Sequence, residues 1–212
     1  GLPFLEAVRQ FKKEVGRDNA INIHVTLVPY LETTGEFKTK PTQHSVKELR
    51  EIGISPEIII CRSKERLTPE LKEKISLFCD VNREAVIGLT DVSSIYEVPL
   101  ALEQEGLDDI VIKYLDLPVR KKDDLSDWRE IVKTILSPSK LVRIAIVGKY
   151  VGLHDAYKSI IESLKHGGVA NKVGVEIKWV DSENLEKEKE ANLEPIFRDV
   201  HLSLIHISEP TR

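Results

Sequence analysis

The sequence predicts an α/β fold built on a parallel sheet, and three observations lead to that class. Short apolar runs of strand length, at residues 57–61, 85–89 and 141–147, alternate with longer stretches of helical periodicity. The triple isoleucine at 58–60 suits a strand covered on both faces, as parallel sheets require. Successive runs are separated by helix-length sequence, which is the β-α-β order that closes a parallel pair.

Residues 3–15 place Leu5, Val8, Phe11 and Val15 on one apolar stripe that ends at Gly16, so a helix is predicted there. Residues 21–28 alternate enough to be a strand, with His24 as a partly buried side chain. Pro29 and Gly35 lead into EFKTKPTQHS, residues 36–45, the most informative stretch of the chain. Lys38 and Lys40 are two apart, so an extended backbone points both ammonium groups to the same side. Pro41 fixes φ, and Thr42 is placed to cap a helix whose apolar positions are Val46, Leu49 and Ile52. The first turn of that helix would offer unpaired N–H groups beside two cations and the amide of Gln43. This pattern fits a polyphosphate site, and it also fits a solvated basic loop before an ordinary capped helix.

Gly53 is a C-cap, and the strand at 57–61 follows it. Arg62 and Lys64 fall just past that strand's carboxyl end, where ligands of open α/β sheets collect. Thr68 and Pro69 read as cap and first position of a helix with Leu71, Ile75 and Phe78 on its buried side. Lys74 sits about one residue off that stripe, the position of a solvated lysine. TDVSS, residues 90–94, stands at the end of the strand at 85–89. Its oxygens and free backbone groups could read a base edge, or simply cap the helix that stops at Gly106. A short helix at 108–114 gives way to Pro118, Val119 and the mixed-charge run at 120–124, the best linker in the chain. Trp128, Ile131, Val132 and Ile135 then mark an amphipathic helix closed at 137–139. A second unit opens at Leu141: a strand to Val147, the turn GKYVGLHD, a helix with Ile160, Ile161 and Leu164 ended by Gly167 and Gly168, and a parallel strand at 173–180. That order predicts a flavodoxin-like sheet, and Gly148–Lys149 lacks the upstream glycine and the following Ser or Thr of a P-loop.

Composition bounds the function classes. The chain is 41% hydrophobic and 31% charged, ordinary values for a globular protein. Its net charge of −4 argues against general binding to nucleic acid or acidic membranes. No apolar run has membrane-spanning length and no signal-like start is present, so a cytoplasmic protein is expected. Cys61 and Cys79 form no CxxC pair and lack the flanking glycines of a nucleophile elbow, so both are expected to be small buried thiols.

The string KTKPTQHSVKEL, preceded by HVTLVPY and followed in order by ICRS, LFCDV, LTDVSSIYEVP, GLDD, IAIVGKY and DAYKSIIESLKHGG, resembles the CTP synthase family over residues 2 to about 200. The resemblance implies a three-layer, P-loop-like synthetase domain in part (residues 1–117), a linker (118–140), and the start of a flavodoxin-like class I glutaminase domain (141–201). Residues 202–212, LSLIHISEPTR, resemble a translated sequencing adapter, so no function is expected there and His206 is set aside as a ligand. The family's activity is ATP-dependent amination of UTP to CTP with ammonia from glutamine, a step of pyrimidine biosynthesis. By motif match, Lys38, Thr39, Lys40, Pro41, Thr42, Gln43 and Lys74 fall on the UTP and CTP site. Thr90, Asp91 and Val92 fall on the segment that contacts the ATP base, with Arg62 flanking it. A lysine often stands where Thr90 is, so a backbone contact is expected there. The family's glycine-rich loop and Mg²⁺ carboxylates would precede Gly1, and its glutaminase Cys, His and Glu would follow residue 201. The resemblance therefore implies an internal fragment, inactive alone, with no catalytic residue and no metal ligand of its own, belonging to a homotetrameric enzyme that handles UTP, CTP, ATP and glutamine. The alternatives are another amidoligase of the same fold, of cobyrinate or dethiobiotin type, and a non-catalytic nucleotide-binding or filament-forming paralogue.

Overall fold

The computed structural model describes residues 1–118, 125–187 and 193–205. The chain divides into two units, Gly1–Asp124 and Leu125–Arg212. The linker positions 119–124 and the tail from His206 onward lie outside the described residues.

Unit 1 is organised on three parallel strands, β1 (Ile23–Leu27), β4 (Ile58–Ser63) and β5 (Val86–Thr90), in the order β1-β4-β5. The register pairs Ile23 with Ile58 and Leu27 with Arg62 on one side, and Ser63 with Thr90 on the other. All three carboxyl ends therefore meet along one edge. Alternate residues of β4 serve opposite faces, as the two-residue period of a strand dictates. Ile59 and Cys61 pack with Val46 of α2 (Lys40–Glu51) and with Ile75 and Cys79 of α3 (Pro69–Cys79). Ile58 and Ile60 pack toward Leu102 of α4 (Val98–Gln104) and Ile110 of α5 (Leu107–Tyr114). The result is three layers, with helices on both faces of the sheet. Between β1 and α2, a two-stranded antiparallel hairpin of β2 (Tyr30–Leu31) and β3 (Glu36–Phe37) stands over the strand ends.

Several expectations are corrected here. The helix predicted to start at a Thr42 cap begins at Lys40, with Thr39 in the N-cap position and Thr42 fully buried inside the first turn. Thr42 is drawn inward because its hydroxyl donates to the Leu27 carbonyl oxygen (3.3 Å), which fastens α2 to the end of β1. Lys38 and Lys40 are not successive same-side positions of a strand, because Thr39 between them is in the right-handed helical region (φ −86°, ψ −13°). Phe78 is 58% exposed, since α3 turns Leu71, Ile75 and Cys79 inward at four-residue steps and leaves Phe78 about 100° off that line. The helix α1 (Leu2–Val15) forms as predicted, yet none of its residues is buried.

Unit 2 holds β6 (Leu141–Gly148), β7 (Gly174–Asp181) and β8 (Leu202–Ile205), all parallel and in the order β7-β6-β8. The amphipathic helix α6 (Ser126–Leu136) and the helix α7 (Lys158–Ala170) precede β6 and β7 respectively, and α8 (Ser182–Leu185) and α9 (Leu193–Phe197) follow β7. Phe197 and Ile196 of α9 pack on a core of Ala145, Val147 and Val180. The first four tail residues form β8, paired with β6 from Ile144↔Leu202 to Val147↔Ile205, while all four side chains remain exposed. The pairing is thus carried by the backbone. Gly167 and Gly168, expected to end α7, lie within it, and the helix closes at Asn171 with Lys172 left-handed (φ 56°). No described helix is long and apolar enough to cross a membrane.

The two glycines of α7 have opposite surroundings. A Cβ on Gly168 would meet the Val173 carbonyl oxygen at 2.7 Å, whereas a Cβ on Gly167 meets nothing within 4 Å. Gly168→Ala should lower the stability of unit 2 by about 1–3 kcal/mol through overpacking, and Gly167→Ala should raise it by about 0.5–1 kcal/mol through helix propensity. Paired denaturant titrations read both, and equal effects at the two positions would refute this packing of α7 on β7.

Candidate functional site at the strand ends

The carboxyl edge of β1-β4-β5 gathers most of the residues singled out from the sequence. The chain leaving β1 donates from the Val28 amide to the Arg62 carbonyl oxygen (2.8 Å), and the chain leaving β5 donates from the Asp91 amide to the Ser63 carbonyl oxygen (3.0 Å). These bonds extend the ladder past the strands and bring residues 28, 62 and 91 side by side. The Lys38 amide then donates to the Pro29 carbonyl oxygen (2.9 Å), which returns the chain to the same edge before α2 begins.

The first turn of α2 is open. Gln43 N donates to the Thr39 carbonyl oxygen at 3.1 Å as the first helical bond, and Thr39 makes no side-chain cap. Its hydroxyl is instead the acceptor for Gln43 Nε2 (3.1 Å). Pro41 brings no N–H to the turn, and the remaining first-turn amides have no partner inside the helix. An uncapped helix start of this kind favours an anion. Lys38 and Lys40 are both exposed next to it. Lys38 donates to Glu36 Oε2 at 2.7 Å, while Lys40 makes no ion pair among the described residues. The hydrogen bond from Lys38 holds the Glu36 carboxyl below its ordinary range.

The other half of the edge is built on β4 and β5. Arg62 Nε donates to Asp91 Oδ1 at 2.6 Å, so these two candidates form one exposed ion pair. Thr90 is the last residue of β5 and is half-buried, and Val92 follows it half-buried. Beyond it, Ser94 and Glu97 close a capping box on the next turn, which uses the serine as a cap and keeps it from the edge. Lys64 pairs with Glu32 on the hairpin, and that bond holds the Glu32 carboxyl low.

Lys74 alone is set back from this group. It is the sixth residue of α3, roughly 8 Å along the axis from its start at about 1.5 Å per residue, on the exposed side. Two participants were not singled out from the sequence, Glu32 and Glu36. Glu36 carried a legible signal, because its two-residue spacing from Lys38 at a strand end places the two side by side. Glu32 carried none, because it meets Lys64 only through the fold.

The chemistry available is recognition of an anion by exposed cations and open backbone amides. Burial pushes the Cys61 thiol up to about 12 and raises that of Cys79, so neither supplies a thiolate nucleophile. Among the described residues no three His, Cys, Asp or Glu side chains converge as a metal-ligand group. His24 is half-buried and bonds Ser45 Oγ through Nε2 (2.8 Å), a structural contact between β1 and α2.

Comparison with known proteins gives the family. Residues 1–117 match the family model described as CTP synthase N-terminus. Among curated relatives, the CTP synthase of Carboxydothermus hydrogenoformans is 59% identical over 187 residues, 88% of this chain and 35% of that protein. The CTP synthase of Clostridium kluyveri is 54% identical over 204 residues, 96% of this chain and 37% of that protein. The CTP synthase of Methanocaldococcus jannaschii is 54% identical over 198 residues, 93% of this chain and 36% of that protein. The chain thus spans about a third of the length of these relatives. A match over 204 residues also runs well past residue 117 and into unit 2.

Two consequences of burial in unit 1 can be measured. In the native chain at pH 8, iodoacetamide should leave Cys61 and Cys79 unmodified over a time that alkylates both in denaturant, as read by intact mass. Rapid native labelling of Cys61 would refute the packing of β4. Burial also lowers the His24 pKa below the unfolded value of about 6.5. The folded state therefore binds fewer protons, and the stability carried by neutral His24 is present above about pH 6.5 and lost as pH falls below it. Relative to His24→Gln, the wild type should be less stable at pH 5.5 than at pH 7.5 in urea titrations.

Proposed function

This chain belongs to the CTP synthase family, and from that premise we propose that unit 1 carries the triphosphate-binding and adenine-binding edge for ATP-dependent amination of UTP to CTP. The observation that carries the proposal is the common edge onto which parallel register brings the loop and first turn of α2, Arg62, and Thr90 to Val92. In this reading Lys38 and Lys40 neutralise the triphosphate of UTP and of the product CTP, and the open first turn of α2 contributes N–H donors. Thr39 and Gln43 hold each other and thereby the shape of that turn. Thr42 anchors it to β1. Lys74 joins the site through its long side chain, from further down α3.

On the ATP side, Asp91 orients the Arg62 guanidinium through Nε and leaves its remaining N–H groups and its planar face for an adenine ring. Thr90 and Val92 contribute backbone groups at a strand end, the usual ligand position of an open α/β sheet. The overall reaction we assign joins UTP, ATP and ammonia to give CTP, ADP and phosphate: ATP phosphorylates the uracil O4, and ammonia adds at C4 as that phosphate leaves. Binding and orientation are what this chain's residues contribute. The P-loop-like assignment of unit 1 rests on the family match and its three layers. We assign unit 2 to the flavodoxin-like start of the glutaminase part, which would supply ammonia from glutamine, on its parallel β7-β6 pair and the relatives' matches beyond residue 117. The same family membership supports a cytoplasmic, homotetrameric whole.

A charge-assisted contact to phosphate contributes about 1.5–3 kcal/mol, so Lys40→Ala should weaken UTP binding by roughly one to two orders of magnitude. CTP binding should weaken in parallel, because both nucleotides present the same triphosphate, while Thr90→Ala should alter only ATP and only modestly. UTP and CTP titrations of each variant, at fixed ATP and salt, read this. Unchanged UTP and CTP curves in Lys40→Ala, or a shift confined to ATP, would reduce residues 36–45 to a basic loop.

A further inference from the structure

We propose that the β2–β3 hairpin is a counter-ion strap whose carboxylates, Glu36 and Glu32, occupy Lys38 and Lys64 until an anionic ligand displaces them. The inference rests on the triphosphate reading of this edge and adds a regulation of its affinity. It starts from charge pairing. Of the cations at the strand ends, Lys38 is paired with Glu36, Lys64 with Glu32 and Arg62 with Asp91. Two of these three carboxylates come from one short hairpin.

The hairpin is built to present them. Tyr30 pairs with Phe37 and Leu31 with Glu36 in antiparallel register, and the Tyr30 and Phe37 rings lie 5.0 Å apart. The turn is closed by Gly35 N donating to the Leu31 carbonyl oxygen (2.8 Å), with Gly35 left-handed at φ 65°. Lys38 N donating to Pro29 O (2.9 Å) then fixes the base of the hairpin to the strand edge. Glu36 and Lys38, two residues apart across that base, are thereby brought within hydrogen-bond reach, Nζ to Oε2 at 2.7 Å. Glu32, beyond Leu31, reaches across to the segment after β4 and ties the hairpin to it through Lys64.

Exposure sets the strength of the strap. The Lys38 and Glu36 side chains are 45% and 61% exposed, so separating them returns the carboxylate to water at small cost. The pair therefore lowers affinity without blocking the site. A small anion that replaces one carboxylate on one lysine gains little from the exchange. A triphosphate also reaches Lys40 and the open turn of α2, and so gains contacts that the strap does not occupy. Substrate and product share that triphosphate, so a strap that competes with both also helps the product leave.

The test is calorimetric titration of UTP into wild type, Glu36→Gln, Glu32→Gln and Lys40→Ala, at low and at raised salt. Loss of the competing charge in Glu36→Gln should tighten UTP binding roughly two- to fivefold at low salt, the range of an exposed ion pair. The gain should shrink as salt screens the pair. Glu32→Gln should move affinity in the same direction, and thermal melts of both variants should match wild type because both carboxylates are exposed. Inorganic phosphate should compete poorly with UTP in wild type and better in Glu36→Gln. If Lys40→Ala weakens UTP binding while Glu36→Gln leaves it unchanged or weaker, the strap is refuted and the triphosphate site stands. If Lys40→Ala has no effect, the site itself is refuted and the strap with it.

Discussion

The parallel pairing of β4 with both of its neighbours is the constraint from which unit 1 follows. β4 hydrogen-bonds to β1 on one side and β5 on the other, and its Ile58, Ile59 and Cys61 are fully buried between two layers of helices. Hydrophobic burial on both faces explains why this run is apolar without alternation. Parallel direction explains why function collects at one end. Every strand of the sheet delivers its carboxyl end to the same edge, and every following segment must start there. The loop before α2, Arg62 and Asp91 come from stretches about 25 residues apart, and register alone makes them neighbours.

Electrostatics at that edge are balanced inside the chain. Cations there are exposed and mostly matched with carboxylates, so the edge is locally polar without being strongly positive. This agrees with a net charge of −4, under which anion recognition has to be local. The backbone adds a contribution that net charge does not count. The uncapped first turn of α2 leaves N–H dipoles directed toward the strand ends, where exposed lysines also reach. Recognition of a polyanion then depends on geometry, since each single contact is worth little in water.

Unit 2 repeats the parallel arrangement with a different filling. β6 is buried from Ile144 to Gly148, and at its end Gly148 leaves room for Tyr157, whose hydroxyl donates to the Lys149 carbonyl oxygen at 2.6 Å. Trp179 covers this turn, stacked on His154 at 4.8 Å and edge-on to Tyr157 at 5.4 Å. On the far side of β6, Arg143 links Glu176 and Asp199, and Arg143 N donates to His201 Nδ1 at 3.0 Å. These polar contacts guide the chain into β8. The pairing of β8 shows that backbone hydrogen bonds can align a segment whose side chains bury nothing.

The sequence by itself determined the α/β class of the fold, the order of the parallel strands as far as β7 and of the longer helices between them, and the family. Those properties are written in local periodicity, in caps such as Thr68, whose hydroxyl accepts from Leu71 N as expected, and in irregular strings that survive in order. It also singled out most residues of the candidate edge, though not Glu32 and Glu36, because motif content is local. What it could not decide were orientations that depend on a neighbour distant in sequence. Thr42 reads as a cap until the Leu27 carbonyl takes its hydroxyl, and Phe78 reads as core until Cys79 takes the inward position. Gly168 reads as a helix stop until the return of Val173 requires a residue without a side chain inside the helix. Glu32 has no meaning in the sequence until β4 brings Lys64 against the hairpin. In each case local preference was weak, a few tenths to about one kcal/mol, and a tertiary contact of equal or greater strength overrode it.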